Sequence, residues 1–240
     1  MTVVAPVERT CAVCGKKSTQ EALLSTNTVG SPDLDLRPPE MERSTMSTWV
    51  QRYRHCGYCA PSIEETIEGA AELVRDDRYR KIRKRRSYPI LARDFLCWSL
   101  LAENAADDLA AALAALYAAW VLDDHENVKG AAKCRWRAAD LFLQARKKGR
   151  EPYRRAGESE LLITDVLRRC GRFDEARELC EEALPRVPAG MMKKLLLFEQ
   201  GLIGNRDTER RTMSDALPRR RKPPPPATEG APGDDGDFFP

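Results

Sequence analysis

With 240 residues, 42% of them hydrophobic and 32% charged, the chain can bury the core of one medium domain or two small ones. Forty basic and 37 acidic side chains give a net charge of only +3, which excludes a strong overall attraction to nucleic acid or to a membrane surface. The N-terminus has no signal-peptide pattern, and the apolar run at residues 109–122 is shorter than the ~20 residues of a transmembrane helix, so we expect a cytoplasmic protein without a membrane partner.

Residues 1–60 contain two C-x2-C pairs in a segment whose prolines, glycines and short Thr- and Val-rich runs predict irregular structure with short strands. In a reducing compartment such cysteines bind metal more often than they form disulfides. Four thiolates suit the tetrahedral coordination of Zn²⁺. The sequence therefore predicts a zinc-ribbon-like segment with a structural zinc site, and the predicted ligands are Cys11, Cys14, Cys56 and Cys59.

The fourth ligand is the open position in this set. Gly15 follows the first pair, where a tight turn lets backbone N–H groups point at a sulfur. If Gly57 has the same role, the matching pair begins at position 53, which is Tyr53, a poor zinc ligand. Cys59 can supply the missing ligand by a shift of register, His55 is an alternative ligand, and a site that binds no metal is the third possibility.

Between the two pairs runs the sequence SPDLDLRPPEMERSTM, followed by Trp49 and HCGYCA. This combination resembles bacterial proteins of the uncharacterised family called domain of unknown function 2225. The resemblance implies a zinc-ribbon segment followed by tetratricopeptide-like helices, and it implies no established activity. In the same stretch, charged residues surround a rigid Pro-Pro and form either a recognition surface or, as we favour, ion pairs that tie the loop to the helices; they are Arg37, Glu40, Glu42 and Arg43.

Residues 61–217 have apolar side chains at helical spacing and predict an all-α region. The first helix is expected from residue 61, because Ser62 stands three residues before Glu65 in a capping-box arrangement. Further helices are predicted over 91–104, 109–122, 130–146, 158–169, 174–184 and 193–203. Residues 218–240 are dominated by proline, glycine and charge, so we predict a disordered tail there.

The most specific helical pattern, residues 157–188, looks like a tetratricopeptide repeat. Gly171 is placed to end the first helix in the left-handed conformation, and Pro188 to end the second. Ala176 and Ala183 occupy the small positions where two antiparallel helices cross. The pattern predicts a helical hairpin whose small side chains are buried.

A degenerate copy covers about residues 109–146, where Ala132, Trp136 and Ala139 repeat the small, large, small spacing and are expected in the core. Since a single repeat cannot bury its hydrophobic face alone, the flanking helices are expected to act as caps. The predicted fold class is therefore mainly α, with tetratricopeptide-like hairpins of the α-solenoid type. Stacked hairpins of this type leave a groove for an unknown peptide or protein partner.

A basic run lies at residues 78–86, with seven basic side chains in nine positions. A solvated helix face is the interpretation we favour, and a nucleic-acid interface is the alternative. The candidate contacts to nucleic acid are Arg78, Arg80, Lys81, Arg83, Lys84, Arg85 and Arg86.

The sequence contains one place where a histidine meets several carboxylates, at Asp123, Asp124, His125 and Glu126. It falls where one predicted helix ends and the next begins, a position at which such residues cap helices and face solvent. The chain has no phosphate-binding glycine loop, H-E-x-x-H or G-x-S-x-G motif. We therefore predict a non-enzymatic protein-protein interaction adaptor, with a zinc-ribbon protein that binds RNA or DNA as the alternative.

Overall fold

Residues 1–217 are described by a computed structural model, and the predicted disordered tail at 218–240 lies outside the described residues. The described part is mainly helical, with small strand pairs near the N-terminus, which confirms the predicted fold class at that level. Within residues 1–217 no helix combines the length and the apolar character needed to cross a membrane.

The strands form three antiparallel pairs, β1 with β2, β3 with β4, and β5 with β6. Their bounds are β1 Val3–Thr10, β2 Lys17–Ser25, β3 Thr28–Val29, β4 Glu40–Met41, β5 Gln51–Arg52 and β6 Cys59–Ala60. In the first pair Thr10 lies opposite Lys17, and in the third Arg52 lies opposite Cys59. Each of these two hairpins therefore presents one C-x2-C region of the sequence at or beside its turn.

The helices follow the strands in chain order, and a 3₁₀ helix at Arg43–Thr48 precedes them. Their bounds are α1 Ala70–Leu73, α2 Asp77–Arg83, α3 Ile90–Asn104, α4 Asp108–Asp124, α5 Val128–Lys147, α6 Glu158–Arg169, α7 Phe173–Ala183 and α8 Met191–Gly204. The six helices predicted between residues 91 and 203 are confirmed, each end within two residues of its predicted position. An apolar stripe that packs against neighbouring elements marks most of them, whereas α4 is buried on nearly all sides, including five successive residues from Ala118 to Leu122.

The helix predicted to begin at residue 61 is wrong over its first part, because the first helix begins at Ala70 after a left-handed Gly69. Tertiary hydrogen bonds occupy the backbone groups that a helix would need. The N–H of Ile63 donates to Gln51 Oε1 at 3.1 Å, and the carbonyl of Ile63 accepts from the N–H of Ala12 at 2.8 Å. The segment is thus held against the strand hairpins instead of coiling on itself.

Three pairs of consecutive helices, α3–α4, α4–α5 and α6–α7, are joined by turns of the same construction. In each turn the middle residue has a positive φ, and the next N–H bonds back to a carbonyl five residues earlier, which ends one helix and reverses the chain. The middle residues are Ala106, Glu126 and Gly171, with φ of 57°, 55° and 85°. The left-handed conformation predicted for Gly171 is confirmed.

The small residues of the predicted 157–188 hairpin are buried, since Ala176 and Ala183 are both fully inaccessible. Trp136, predicted to lie in the core, is instead 51% exposed. The guanidinium of Arg172 lies 4.9 Å above its ring, so Trp136 packs against a cation at the surface.

The loop between β3 and β4 packs against the helices, and buried charged side chains make these contacts. Asp35 is inaccessible and accepts from Trp120 Nε1 at 2.7 Å and from Arg169 at 3.0 Å. Desolvation raises the pKa of Asp35, but Arg169 and Arg135 outweigh it and the pKa is lowered. Arg37, 1% exposed, pairs with Asp124. Arg37 therefore forms an ion pair with a helix and does not belong to an exposed recognition surface.

Candidate metal centre

Two turns of matching geometry lie at the ends of the first and third strand hairpins. The N–H of Gly15 donates to the carbonyl of Cys11 at 2.8 Å, and the N–H of Gly57 donates to the carbonyl of Tyr53 at 2.8 Å. Both glycines have a positive φ, 69° and 80°, which a residue with a Cβ adopts only with strain. Tyr53 therefore stands in the second turn where Cys11 stands in the first.

Each turn also directs a backbone N–H at a sulfur. The amide of Lys16 bonds to Cys14 and the amide of Tyr58 bonds to Cys56, in both cases two residues after the cysteine. Desolvation raises the pKa of Cys14, but the Lys16 amide and the neighbouring thiols outweigh it and the pKa is lowered. Desolvation raises the pKa of Cys56 to about 12 despite its amide bond. Amides that stabilise a thiolate are a feature of thiolate metal sites.

The Sγ atoms of Cys11, Cys14 and Cys56 all lie within 4.8 Å of one another. The distance from Cys11 Sγ to Cys56 Sγ is 3.7 Å. In a tetrahedron with metal–sulfur bonds of about 2.3 Å, two sulfurs are about 3.8 Å apart. The Cys11–Cys56 distance matches this geometry, and the three clustered thiols could bind a metal ion.

Tyr53 lies next to this cluster and is only 5% exposed. Desolvation together with the nearby thiols of Cys14, Cys11 and Cys56 raises the pKa of Tyr53. The sequence indicates that position 53 belongs to the site, because Gly57 repeats the role of Gly15 and so defines where the second turn begins. Beside the three thiols, the second turn therefore provides a phenol and not a fourth thiol.

Cys59, predicted as the fourth ligand, is not brought to the other three cysteines. It lies in β6, is inaccessible, and its thiol donates to the carbonyl of Gly57 at 3.4 Å and approaches Asp94 of α3 at 3.8 Å. Burial raises the pKa of Cys59 well above its usual value. The reason is the register of the second turn, which begins at Tyr53 and ends before Cys59. His55, the alternative ligand, is exposed and lies outside the cluster found in residues 1–217.

The basic run lies beside the metal centre, on α2 and the turn that follows it. Tyr79 anchors the helix, because it is inaccessible and its hydroxyl donates to the carbonyl of Gly57 at 2.7 Å. Arg83, only partly exposed, donates to the carbonyl of Cys56 at 3.4 Å. The other predicted contacts are exposed, namely Arg78, Arg80, Lys81, Lys84, Arg85 and Arg86.

The acidic cluster at 123–126 forms ion pairs with the core. Asp123 pairs with Arg135, and Asp124 pairs with Arg37. Desolvation raises the pKa of Asp123, but Arg135 outweighs it and the pKa is lowered. His125 Nδ1 lies 2.9 Å from the carbonyl of Val121 in its own helix. Of this cluster, Asp124 therefore ties the loop to α4 through Arg37, and Asp123 ties α4 to α5 through Arg135.

No protein-family model, curated protein or solved structure matches this chain. The resemblance to domain of unknown function 2225 therefore stays a prediction, and any function has to follow from the geometry of the chain itself.

Proposed function

We propose that the protein is a non-enzymatic adaptor, in which a structural zinc ion rigidifies the N-terminal hairpins and a groove between helices binds a peptide segment of a partner protein. The observation that carries the proposal is the groove between α5 and α7. Its cavity has a volume of about 420 Å³, and Leu143 and Leu179 contribute an apolar part of the lining.

The two sides of the groove carry opposite charges. Helix α5 contributes Arg146 and Lys147, and α7 contributes the carboxylates of Glu175, Glu178 and Glu182. A peptide that places an apolar side chain between acidic and basic groups would find an apolar contact and two charged contacts there. Arg146 lies 3.7 Å from Glu182, so part of the charge is already paired within the chain. The charged sides therefore favour specificity more than affinity.

Zinc is the ion that best suits the three thiolates, because its filled d shell imposes no competing geometry and sulfur is a favoured ligand. The hydroxyl of Tyr53 beside Cys14 supports a closed, structural site, since a catalytic zinc keeps an open position for water. In that role the ion joins the β1–β2 and β5–β6 hairpins and supplies folding energy to a segment with little apolar core.

A photoreactive amino acid placed at Glu178, in the groove, tests the binding site in the native cell. The matched control places it at Glu181, which is exposed on the same helix but does not line the groove. We expect a partner to cross-link from position 178 and not from 181. In the purified complex, Glu178→Lys should weaken binding about tenfold or less, as expected for one charged contact, and Glu181→Lys should leave it unchanged. Equal cross-linking from both positions would contradict the groove as the binding site.

RNA or DNA binding is a second candidate function, and it is supported by the exposed cations of α2 beside the metal centre. A gel-shift titration with a short single-stranded RNA over a range of salt concentrations tests it. If Lys81 neutralises one phosphate, the variant Lys81→Ala should make the slope of log K against log salt shallower by about 0.7. Lys194→Ala, an exposed lysine on α8, is the control. RNA binding that does not weaken with salt would rule out this function.

A further inference from the structure

A small basic pocket lies between α2, the first turn of α3 and β5, next to the second turn of the metal centre. Its volume is about 220 Å³. Five cationic side chains and one carboxylate line it, namely Arg52, Arg80, Arg83, Lys84, Arg93 and Asp94. These residues come from three separate elements, so the pocket is a product of the fold and not of the basic run alone.

The positive charge of this pocket is only partly compensated within residues 1–217. Asp94 pairs with Arg52 at 3.2 Å. Arg80 has a long ion pair of 3.9 Å with Asp77, and both side chains are largely exposed. The remaining three cations have no carboxylate partner in the described residues; they are Arg83, Lys84 and Arg93. Like charges this close repel one another, and a bound anion would relieve the repulsion.

The guanidinium groups are held in place by main-chain contacts. Arg83 donates to the carbonyl of Cys56 at 3.4 Å, and Arg93 donates to the carbonyl of Arg83 at 2.6 Å. A carbonyl positions a guanidinium but leaves its charge in place. The Nε of Arg93 is buried and has no hydrogen-bond partner among the described residues. Buried N–H groups without a partner are rare in folded proteins, and an oxygen of a ligand in the pocket could accept from this one.

We propose that this pocket binds a phosphoryl group. Fixed guanidinium groups and an ammonium present several N–H donors to a tetrahedral oxyanion, which is the recognition chemistry of phosphate. The volume is below the roughly 300–1,000 Å³ of pockets that enclose whole small molecules, so the pocket fits the phosphoryl group and leaves the rest of its carrier outside. The carrier is either a small phosphorylated molecule or the backbone of a nucleic acid that continues over the exposed cations of α2.

Isothermal titration of the full chain with inorganic phosphate, against sodium chloride at matched ionic strength, tests the pocket. Lys84→Ala and Lys194→Ala are a matched pair, because both lysines are exposed and only Lys84 lines the pocket. We expect Lys84→Ala to weaken phosphate binding about five- to tenfold and Lys194→Ala to leave it unchanged. Arg80→Ala is a second pocket variant with the same expectation. Circular dichroism confirms that each variant is folded.

The proposal is overturned if phosphate shows no binding beyond that of chloride, or if Lys84→Ala and Lys194→Ala weaken it equally. A second titration adds a short single-stranded RNA to the phosphate-bound protein. Phosphate that competes with the RNA supports the pocket and identifies a nucleic-acid backbone as the carrier. Phosphate binding that depends on Lys84 in a chain that does not bind RNA supports the pocket with a small carrier, and it removes the second candidate function while leaving the pocket.

Discussion

Replacing Tyr53 by cysteine should complete the metal site. The second turn has the same Gly-to-first-residue hydrogen bond as the first turn, 2.8 Å in both, so a sulfur at position 53 would be held as the sulfur of Cys11 is held. Structural zinc sites with four ligands bind with about 10–16 kcal/mol, or about 3 kcal/mol for each ligand on average. A fourth thiolate should therefore raise the metal affinity of Tyr53→Cys by about two orders of magnitude.

The same substitution removes a buried aromatic ring, which destabilises a folded protein by about 3–5 kcal/mol. This loss affects the metal-free and metal-bound forms alike, so it lowers the stability of both but cancels in the affinity as long as the metal-free protein stays folded. The metal-free variant should thus unfold at a lower urea concentration than the metal-free natural chain. In the metal-bound proteins most of this difference in urea concentration should disappear, because the tighter metal binding of the variant offsets the lost packing.

Titration with Co²⁺ and competition between Zn²⁺ and a chelator measure both effects. The thiolate-to-cobalt absorption should be stronger in Tyr53→Cys than in the natural chain, because four thiolates replace three. Tyr53→Phe is the control, since it keeps the ring and removes the hydroxyl, and it should bind metal no more tightly than the natural chain. An affinity of Tyr53→Cys equal to that of the natural chain, in a folded protein, would refute the equivalence of the two turns.

Three further substitutions test the site and the core. Cys59→Ser should leave the metal stoichiometry unchanged and lower stability only, because its buried thiol donates to a backbone carbonyl outside the cluster; metal analysis that finds a lower stoichiometry would return Cys59 to the ligand set. Gly57→Ala and Gly15→Ala should each weaken metal binding in a Co²⁺ titration to a similar degree, because a Cβ strains the left-handed backbone by about 1–2 kcal/mol at both positions and the Arg83 guanidinium that it meets at position 57 is the end of a flexible side chain; an effect at one position alone would contradict the equivalence of the two turns. Asp35 has a lowered pKa, so its contribution is present above the unfolded-state value of about 3.9 and is lost as the pH falls through the folded-state value. Asp35→Asn should therefore reduce the free energy of unfolding at neutral pH by about 3–5 kcal/mol and make its decrease below about pH 4 less steep. Urea unfolding at several pH values measures this free energy, and a pH dependence equal to that of the natural chain would contradict the prediction.

The sequence predicts the helices well because the pattern that indicates each helix lies within the helix or next to its ends. Residues 158–169 are predicted with the bounds that α6 has, since the apolar periodicity and Gly171 after it agree with each other. The segment at 61–69 has an equally good local pattern, yet it is not helical. Its backbone groups bond to residues far away in the chain, such as Gln51, and a local pattern contains no information on such partners.

The sequence predicts the three cysteines that cluster but misplaces the fourth, for a similar reason. The spacing of cysteines suggested four ligands, but spacing alone does not say which side of a strand a thiol faces. Cys59 stands three residues after Cys56 and yet points at α3, because the turn ends before it and β6 has begun. The position of Gly57 was the better guide, since a left-handed glycine fixes the register of the turn in space.

The buried charges were the feature that local reasoning reached least. Asp35 and Arg37 lie in a proline-rich loop that reads as exposed, yet both are almost inaccessible. Their partners, among them Trp120 and Arg169, are far away in the sequence. Only the packing of the loop onto the helices brings these charges together. Asp35 is paired with the buried Arg135 and Arg169, and Arg37 is paired with Asp124, whose carboxylate is partly exposed.

An ion held by Cys14 and Cys56 would also act as a cross-link that closes the chain from residue 14 to residue 56. A cross-link over a loop of this length removes about 4 kcal/mol of chain entropy from the unfolded state. The closed interval contains Asp35 and Trp49, which pack on the helices. The lower entropy of the unfolded chain would therefore also stabilise the packing of this interval against the helical core. Coordination by all three thiolates requires two segments far apart in the chain to meet, and an ion bound in this way would hold the loop against the helices.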